Sequence, residues 1–375
     1  MVYLDNAATT QVSRDVADRV CEVTTNTFAN PSSLYGLGFE AQRIMDASRA
    51  TIAEALGCSS AEVFFTSGGT EANNIAVLGA ARARKGWGSE IVVSGYEHPS
   101  IQAAAESLKA EGFEVHTVKP SASGELDIKA VAAKTSKNTA LVTCMQVNNE
   151  TGATADIAAM AAGIKSINRR TAVHCDYVQG FLKQPLVLNG DIDTVSISAH
   201  KVHGPKGIGA LYIRKGFNIS KVLHGGGQEQ GVRPGTENVA GAAGFAQAAT
   251  AADIKLSFEK VKELNRLIRG MALQNSWLAV NSPPEASPYI LNISMPGYRS
   301  ETVLHYLEQR EIYVSSGSAC TKGARSHTLV AMGLADSLVD SAIRISFCAD
   351  NTVQDVEALC QGLQDAQKTL ARVRG

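Results

Sequence analysis

Residues 62–94 read EVFFTSGGTEANNIAVLGAARARKGWGSEIVVS. Two runs of strand length, 62–66 and 90–94, enclose residues 71–85, whose apolar spacing and helix-forming composition predict a helix. A strand, a helix and a second strand in this order form a crossover unit. Such crossovers are right-handed and build parallel sheets with helices on both faces. The alternation continues outward, with strand-like runs at 114–118 (EVHTV), 140–145 (ALVTCM) and 172–176 (AVHCD), and helical patterns at 99–111, 127–135 and 156–168. Runs 194–198 and 207–213 flank a short turn containing HKVHGPK, which predicts neighbouring strands around a functional turn.

Near residue 250 the pattern changes. Residues 240–252 are small and suit a closely packed helix, and 254–273 form a long, charged, amphipathic one. Strand-like 289–294, a helix at 302–310, the runs 312–315 and 343–347, and a last helix to about residue 372 make a smaller α+β unit. The expected organisation is therefore α/β, with a large domain at 13–253 and a small domain assembled from 1–12 and 254–375.

Composition narrows the function. The 375 residues carry 35 Lys+Arg against 36 Asp+Glu, a formal charge of −1, so direct nucleic-acid binding through a basic surface is not expected. No run approaches the roughly 18 apolar residues of a membrane span. The seven cysteines form no CxxC pair, and an odd, scattered set fits a reducing compartment better than a disulfide framework or structural zinc. With no basic-then-apolar start, the chain reads as a cytoplasmic enzyme.

Several residues carry chemistry. Ser67-Gly68-Gly69-Thr70 lies between a strand and a helix, where backbone N–H groups and the helix dipole favour an anion, although a plain tight turn has the same composition. Lys201 follows a strand end and is a candidate Schiff-base former, or else an exposed loop lysine. Asp176, with Gln179 three residues on, ends another strand and suits a pyridinium nitrogen. His98 begins a helix after a third strand. Together these favour pyridoxal 5′-phosphate over a nucleotide. Cys320, in the small-residue stretch SSGSACTKG, is expected to be an exposed thiol favoured as thiolate by Lys322 and Arg325. The other six cysteines are expected to act as small hydrophobes.

In order along the chain, YLDNAATT, NPSSLYGLG, FTSGGTEANN, EHPSI, VNNETG, HCDYVQG, SAHKVHGPKGIGALY, RPGTENV, SSGSAC and AIRIS resemble the NifS/IscS-type cysteine desulfurases of the class V aminotransferase group. The resemblance implies a fold-type I transferase with a mostly parallel seven-stranded sheet. It also implies Lys201 as the lysine that carries pyridoxal 5′-phosphate and moves the substrate proton. His98 would stack on the ring and help with protons, and Asp176 would sit at the ring nitrogen. Gln179, with Asn149, would be at the ring oxygen. Gly69, Thr70, Ser198 and His200 would hold the phosphate, with Thr236 reaching across a homodimer. Arg344, supported by Asn30 and Asn149, would bind the carboxylate of L-cysteine, and Cys320 would take the sulfur as a persulfide for a protein acceptor in iron–sulfur cluster assembly or tRNA thiolation. No metal is implied. Tyr177 stands where the family commonly has alanine and is placed to fill space beyond the ring. A selenocysteine lyase or aminotransferase of the same fold, or a non-catalytic scaffold, are the alternatives.

Overall fold

A computed structural model describes residues 1–316 and 325–372. The chain opens with a two-residue strand β1 (Val2–Tyr3), followed by helices α1 (Arg14–Asn26) and α2 (Gly36–Leu56). The alternating part runs β2 (Val63–Thr66), α3 (Gly69–Arg84), β3 (Glu90–Ser94), α4 (Pro99–Ser107), β4 (Glu114–Val118), α5 (Ile128–Lys134), β5 (Thr139–Thr143), α6 (Ile157–Ile167), β6 (Ala172–Asp176), β7 (Thr194–Ser198) and β8 (Gly209–Ile213). Their seven strands form one sheet in the order β2-β8-β7-β6-β5-β3-β4. Only β8 runs antiparallel to its neighbours β2 and β7, so the expected mostly parallel sheet is present.

Side chains alternate across a strand. On β3, Val92 joins the apolar cluster on one face, while Ile91 and Val93 join that on the other. This is the burial a sheet covered on both sides requires.

Helices α7 (Val239–Thr250) and α8 (Ile254–Gln274) follow, then β9 (Ala279–Val280), β10 (Ile290–Ser294), α9 (Ser300–Glu308), β11 (Ile312–Tyr313) and β12 (Ser315–Ser316). Short helices α10 (His327–Ala331) and α11 (Asp336–Val339), strand β13 (Ala342–Ser346) and helix α12 (Val353–Thr369) complete the chain. The order β12-β13-β10-β9 forms a second sheet, packed on its own apolar cluster.

Three differences from the sequence reading have physical reasons. The run at 312–315 is two strands, because the chain changes partner at Val314, from β1 to β13. The helix expected to reach residue 111 ends at Ser107 and continues as a tighter turn over Leu108–Glu111, closed by Gly112 at φ +86°. Helices α1 and α2 had no counterpart in the reading. Both pack against α7, through small residues such as Gly244, where a Cβ would lie 2.5 Å from Val20 Cγ2.

Candidate active site

Strands β2, β3, β5, β6 and β7 point the same way, and their C-terminal ends share one sheet edge, the place where open α/β sheets bind ligands. Gly69, Thr70, His98, Asn149, Asp176, Gln179, Ser198, His200, Lys201 and Arg344 all line one cavity of about 700 Å³ at that edge.

The anion end forms where β2 turns into α3. Gly68 has φ +151°, and a Cβ on Gly69 would sit 2.8 Å from Val178 Cγ2. Side chains are thus excluded where backbone N–H groups and the positive end of a 16-residue helix converge. Ser198 Oγ, at the end of β7, is buried without a hydrogen-bond partner. His200 has its pKa pushed down to about 4 by burial and by Lys201, Lys206 and Lys183, so it is a neutral ring.

Under the middle of the cavity a hydrogen-bond chain fixes Asp176. Its Oδ1 accepts from Val178 N at 2.9 Å and its Oδ2 from Asn73 Nδ2 at 2.8 Å. Asn73 Oδ1 in turn accepts from His174 Nε2 at 3.1 Å. Burial holds His174 neutral, down to about 3. Asn73 Nδ2 also donates to Ser100 Oγ at 2.9 Å, and that hydroxyl lies 2.8 Å from His98 Nδ1. His98 is the N-cap of α4, and its Nδ1 accepts from Ser100 N at 3.2 Å. A backbone N–H can only donate, so the proton of the neutral ring is on Nε2. Burial lowers the His98 pKa, Lys201 adds to the effect, and Asp176 opposes it. Gln179 Nε2 donates to Ala7 O at 2.9 Å, while its Oε1 is buried without a partner.

The N-terminal segment closes over the site. Lys201 Nζ donates to Ala7 O and Ala8 O, both at 2.7 Å. Arg344, on β13, is 3% exposed. Its Nη2 bonds Asp5 Oδ1 at 2.8 Å and its Nη1 bonds Asn149 O at 3.0 Å, leaving Nε buried and unpartnered. The guanidinium is therefore oriented in advance at one end of the cavity that Lys201 also lines.

Two expected site residues are elsewhere. Asn30 is exposed and does not line the cavity. Its Oδ1 accepts from Ser32 N at 2.9 Å, a local turn bond, and the Arg344 hydrogen bonds go instead to Asp5 and Asn149. Thr236 is exposed and also outside this chain's cavity. Cys320, with Lys322, lies outside the described residues. Tyr177 does not extend beyond a ring in the cavity, as expected from sequence. It packs into the core edge-on to Phe181, 5.9 Å between centroids, and its hydroxyl donates to Gln184 O. The alternation of β6 into the following turn sends Asp176 and Tyr177 to opposite sides. Of the six other cysteines, Cys144 and Cys175 are buried, whereas Cys21 is exposed because it lies on the solvent face of α1.

Sequence reasoning missed Asn73, Glu97 and Lys183. Asn73 stood within TEANN but gave no sign that it faced Asp176. Glu97 accepts from Thr143 Oγ1 at 3.1 Å, its Oε2 has no partner, and burial, with Asp176 nearby, pushes its pKa up to about 8. Lys183 is buried, and desolvation together with repulsion from Lys201 brings it down to about 7.

The residues present fit pyridoxal 5′-phosphate. A Cβ-free turn and the orphaned Ser198 hydroxyl suit a phosphate, a fixed carboxylate suits a pyridinium, the orphaned Gln179 Oε1 suits a ring hydroxyl, and a lysine amine stands in the same cavity.

Known proteins agree. Residues 2–359 match the family described as Aminotransferase class-V. The Bacillus subtilis protein named putative cysteine desulfurase IscS 1 is 38% identical, covering 98% of this chain and 99% of that protein. A solved NifS-like protein superposes with TM-score 0.92 at 34% identity, covering 98% of this chain and 100% of that one. SspA, solved in complex with cysteine, superposes with TM-score 0.83 at 29% identity, covering 94% of this chain and 100% of that one. The sheet, the lysine turn and the full-length similarity have one explanation: the chain belongs to the class-V aminotransferase family, pyridoxal-phosphate enzymes that include the NifS/IscS-type cysteine desulfurases.

Proposed function

We propose that this protein is a cysteine desulfurase that converts L-cysteine to L-alanine, with the sulfur passing to Cys320 as a persulfide. The observation that carries the reading is that the Lys201 amine and the Arg344 guanidinium line the same cavity. An α-amino acid can then present its carboxylate to one and its Cα to the other. Pyridoxal phosphate, held by these residues, would supply an electron sink for the electron pair of the bond broken at Cα. Asp176, held by Asn73 and Val178 N, keeps the pyridine nitrogen protonated. Lys201 moves the proton at Cα, and neutral His98 is available for a second transfer. The Cys320 thiolate attacks the substrate sulfur. An S–S bond forms, the C–S bond breaks with its electron pair left on carbon, and a proton completes alanine.

The ends of the undescribed stretch support the role of Cys320. Ser315 pairs with Arg344 in the β12–β13 ladder, and Cys320 is four residues past Ser316, a reach of at most roughly 14 Å. On the far side, Thr328 Oγ1 donates to Glu150 Oε1 at 2.8 Å, and Ser326 Oγ bonds the same carboxylate, next to Asn149. Both ends are thus tied beside the cavity.

The reading extends to a division into a large domain (13–253) and a small one (1–12 with 254–375), and to a cytoplasmic homodimer delivering sulfur to iron–sulfur cluster assembly or tRNA thiolation. Among the described residues no helix is long and apolar enough to cross a membrane. Phe28 (74% exposed), Leu34 (90%), Tyr35, Leu37 and Phe39 form an apolar stretch too large for a solvated surface, and a second copy covering it would explain them. Thr236 would then serve the partner's cavity. Mass spectrometry after L-cysteine treatment tests the chemistry: one added sulfur on the peptide containing Cys320, and alanine production abolished in Cys320→Ser. Undiminished alanine formation by Cys320→Ser would refute it.

A further inference from the structure

Lys201 also lines a second cavity, of about 210 Å³, together with Lys183, His203, Cys348 and Asp350. Nothing in the proposed chemistry uses the last three. One donor atom from each of His203, Cys348 and Asp350 lies within 4.8 Å of the other two. Tetrahedral coordination at ordinary zinc bond lengths sets donors roughly 3.5 Å apart, so small side-chain rotations close the triad.

Two further observations prepare these donors. His203 has φ +64°, a conformation uncommon for a histidine, and is fixed there by its N–H to Thr10 Oγ1 at 2.7 Å. Its Nδ1 lies 2.9 Å from Gln11 O. A carbonyl only accepts, so Nδ1 carries the proton and Nε2 keeps its lone pair, the arrangement by which a backbone carbonyl orients a metal-binding imidazole. Asn351 braces the Cys348 turn, donating its N–H to Cys348 O at 3.2 Å and accepting the Cys348 N–H on its Oδ1 at 2.9 Å. The turn thus holds Cys348 in place at the wall of this cavity. Asp350 is exposed and gives an ion an entry path.

We propose that His203, Cys348 and Asp350 form a zinc site. Sulfur and nitrogen donors favour Zn²⁺ over Mg²⁺ or Ca²⁺, and three protein ligands leave a fourth position for water. Binding releases the thiol proton to solvent. The thiolate and carboxylate offset the dication and the nearby Lys183 amine. His203 lies two residues after Lys201, and Cys348 two residues after β13, which bears Arg344. The ion therefore clips the turn of the cofactor lysine to the strand of the carboxylate-binding arginine. This stands independently of the proposed sulfur transfer.

The test uses pyridoxal-phosphate-loaded enzyme, dialysed against chelator and then equilibrated with Zn²⁺. Wild type and Cys320→Ser are expected to hold one zinc per chain. Cys348→Ser, His203→Asn (asparagine tolerates the positive φ) and the exposed-site variant Asp350→Asn are expected to lose affinity by roughly tenfold or more. Zn²⁺ should raise the melting temperature of wild type but not of Cys348→Ser. Co²⁺ should give tetrahedral d–d bands, beyond the cofactor absorption, only where Cys348 is present. No stoichiometric zinc in wild type, or zinc that follows Cys320 instead of Cys348, would overturn the proposal.

Discussion

Glu97 makes a quantitative prediction about stability. Its carboxyl is buried beneath the sheet edge, accepts one hydrogen bond from Thr143, has a second oxygen without a partner, and shares its surroundings with Asp176. Desolvation first, and the Asp176 charge second, raise its pKa from an ordinary 4.5 to about 8. Between those values the folded chain holds a proton that the unfolded chain releases. Stability is therefore full below about pH 4.5 and falls as pH rises, by about 1.4 kcal/mol per unit, until pH passes about 8. Across the window the loss is on the order of 4–5 kcal/mol. Glu97→Gln keeps the shape and the acceptor of Thr143 but cannot ionise. Denaturant unfolding of the two holoenzymes at pH 5, 6, 7 and 8 should show the variant gaining on wild type by about that increment per unit. Parallel pH profiles would show that Glu97 is not held protonated and would refute the reasoning.

Asn73→Ala removes the donor to Asp176 Oδ2 and strands the His174 Nε2 proton in a buried place. Unfolding should be easier by about 3 kcal/mol, and pyridoxal phosphate should be lost more readily on dialysis. Arg344→Ala should raise KM for L-cysteine by roughly tenfold or more with a smaller change in kcat, because the bond to the carboxylate lasts through the cycle; an unchanged KM in steady-state kinetics would remove Arg344 from substrate binding. His174 has its pKa depressed from 6.5 to about 3. Its contribution is complete above about pH 6.5 and lost as pH falls toward 3, at about 1.4 kcal/mol per unit. Acid titration of unfolding should be shallower for His174→Gln.

The sheet was legible because each of its strands is a local run flanked by turn residues; Glu90–Ser94, Glu114–Val118, Ala172–Asp176 and Thr194–Ser198 match to the residue. Helices α1 and α2 were not. α1 buries only Val16 and Val23, and α2 buries Gly38, Ala41, Ser48 and Ala53 beside Met45, Ile52 and Leu56, a face whose many small residues dilute the apolar pattern. In the site, residues at strand ends were readable, since a strand end and a helix start are adjacent in sequence. Asn73 was hidden because its partner Asp176 is 103 positions away, and Lys183 because its neighbours Lys201 and Cys348 come from other segments. The assignment of Asn30 beside Arg344 came from resemblance alone, and the turn bond to Ser32 holds it elsewhere.

The opening residues of this chain are knotted to its closing quarter. β1 pairs with Ile312–Tyr313, Asp5 holds Arg344, Asn6 bonds the Ser346 carbonyl, and Ala7 and Ala8 then cap the Lys201 amine. A ribosome must therefore pass β13 before residues 2–6 have their partners, whereas residues 8–10 wait only for the Lys201 turn. Contacts of such long sequence separation form late. Vitamin capture should consequently be a post-synthetic event, and nascent fragments stopped short of β13 should leave the ribosome with an open, leaky cofactor cleft.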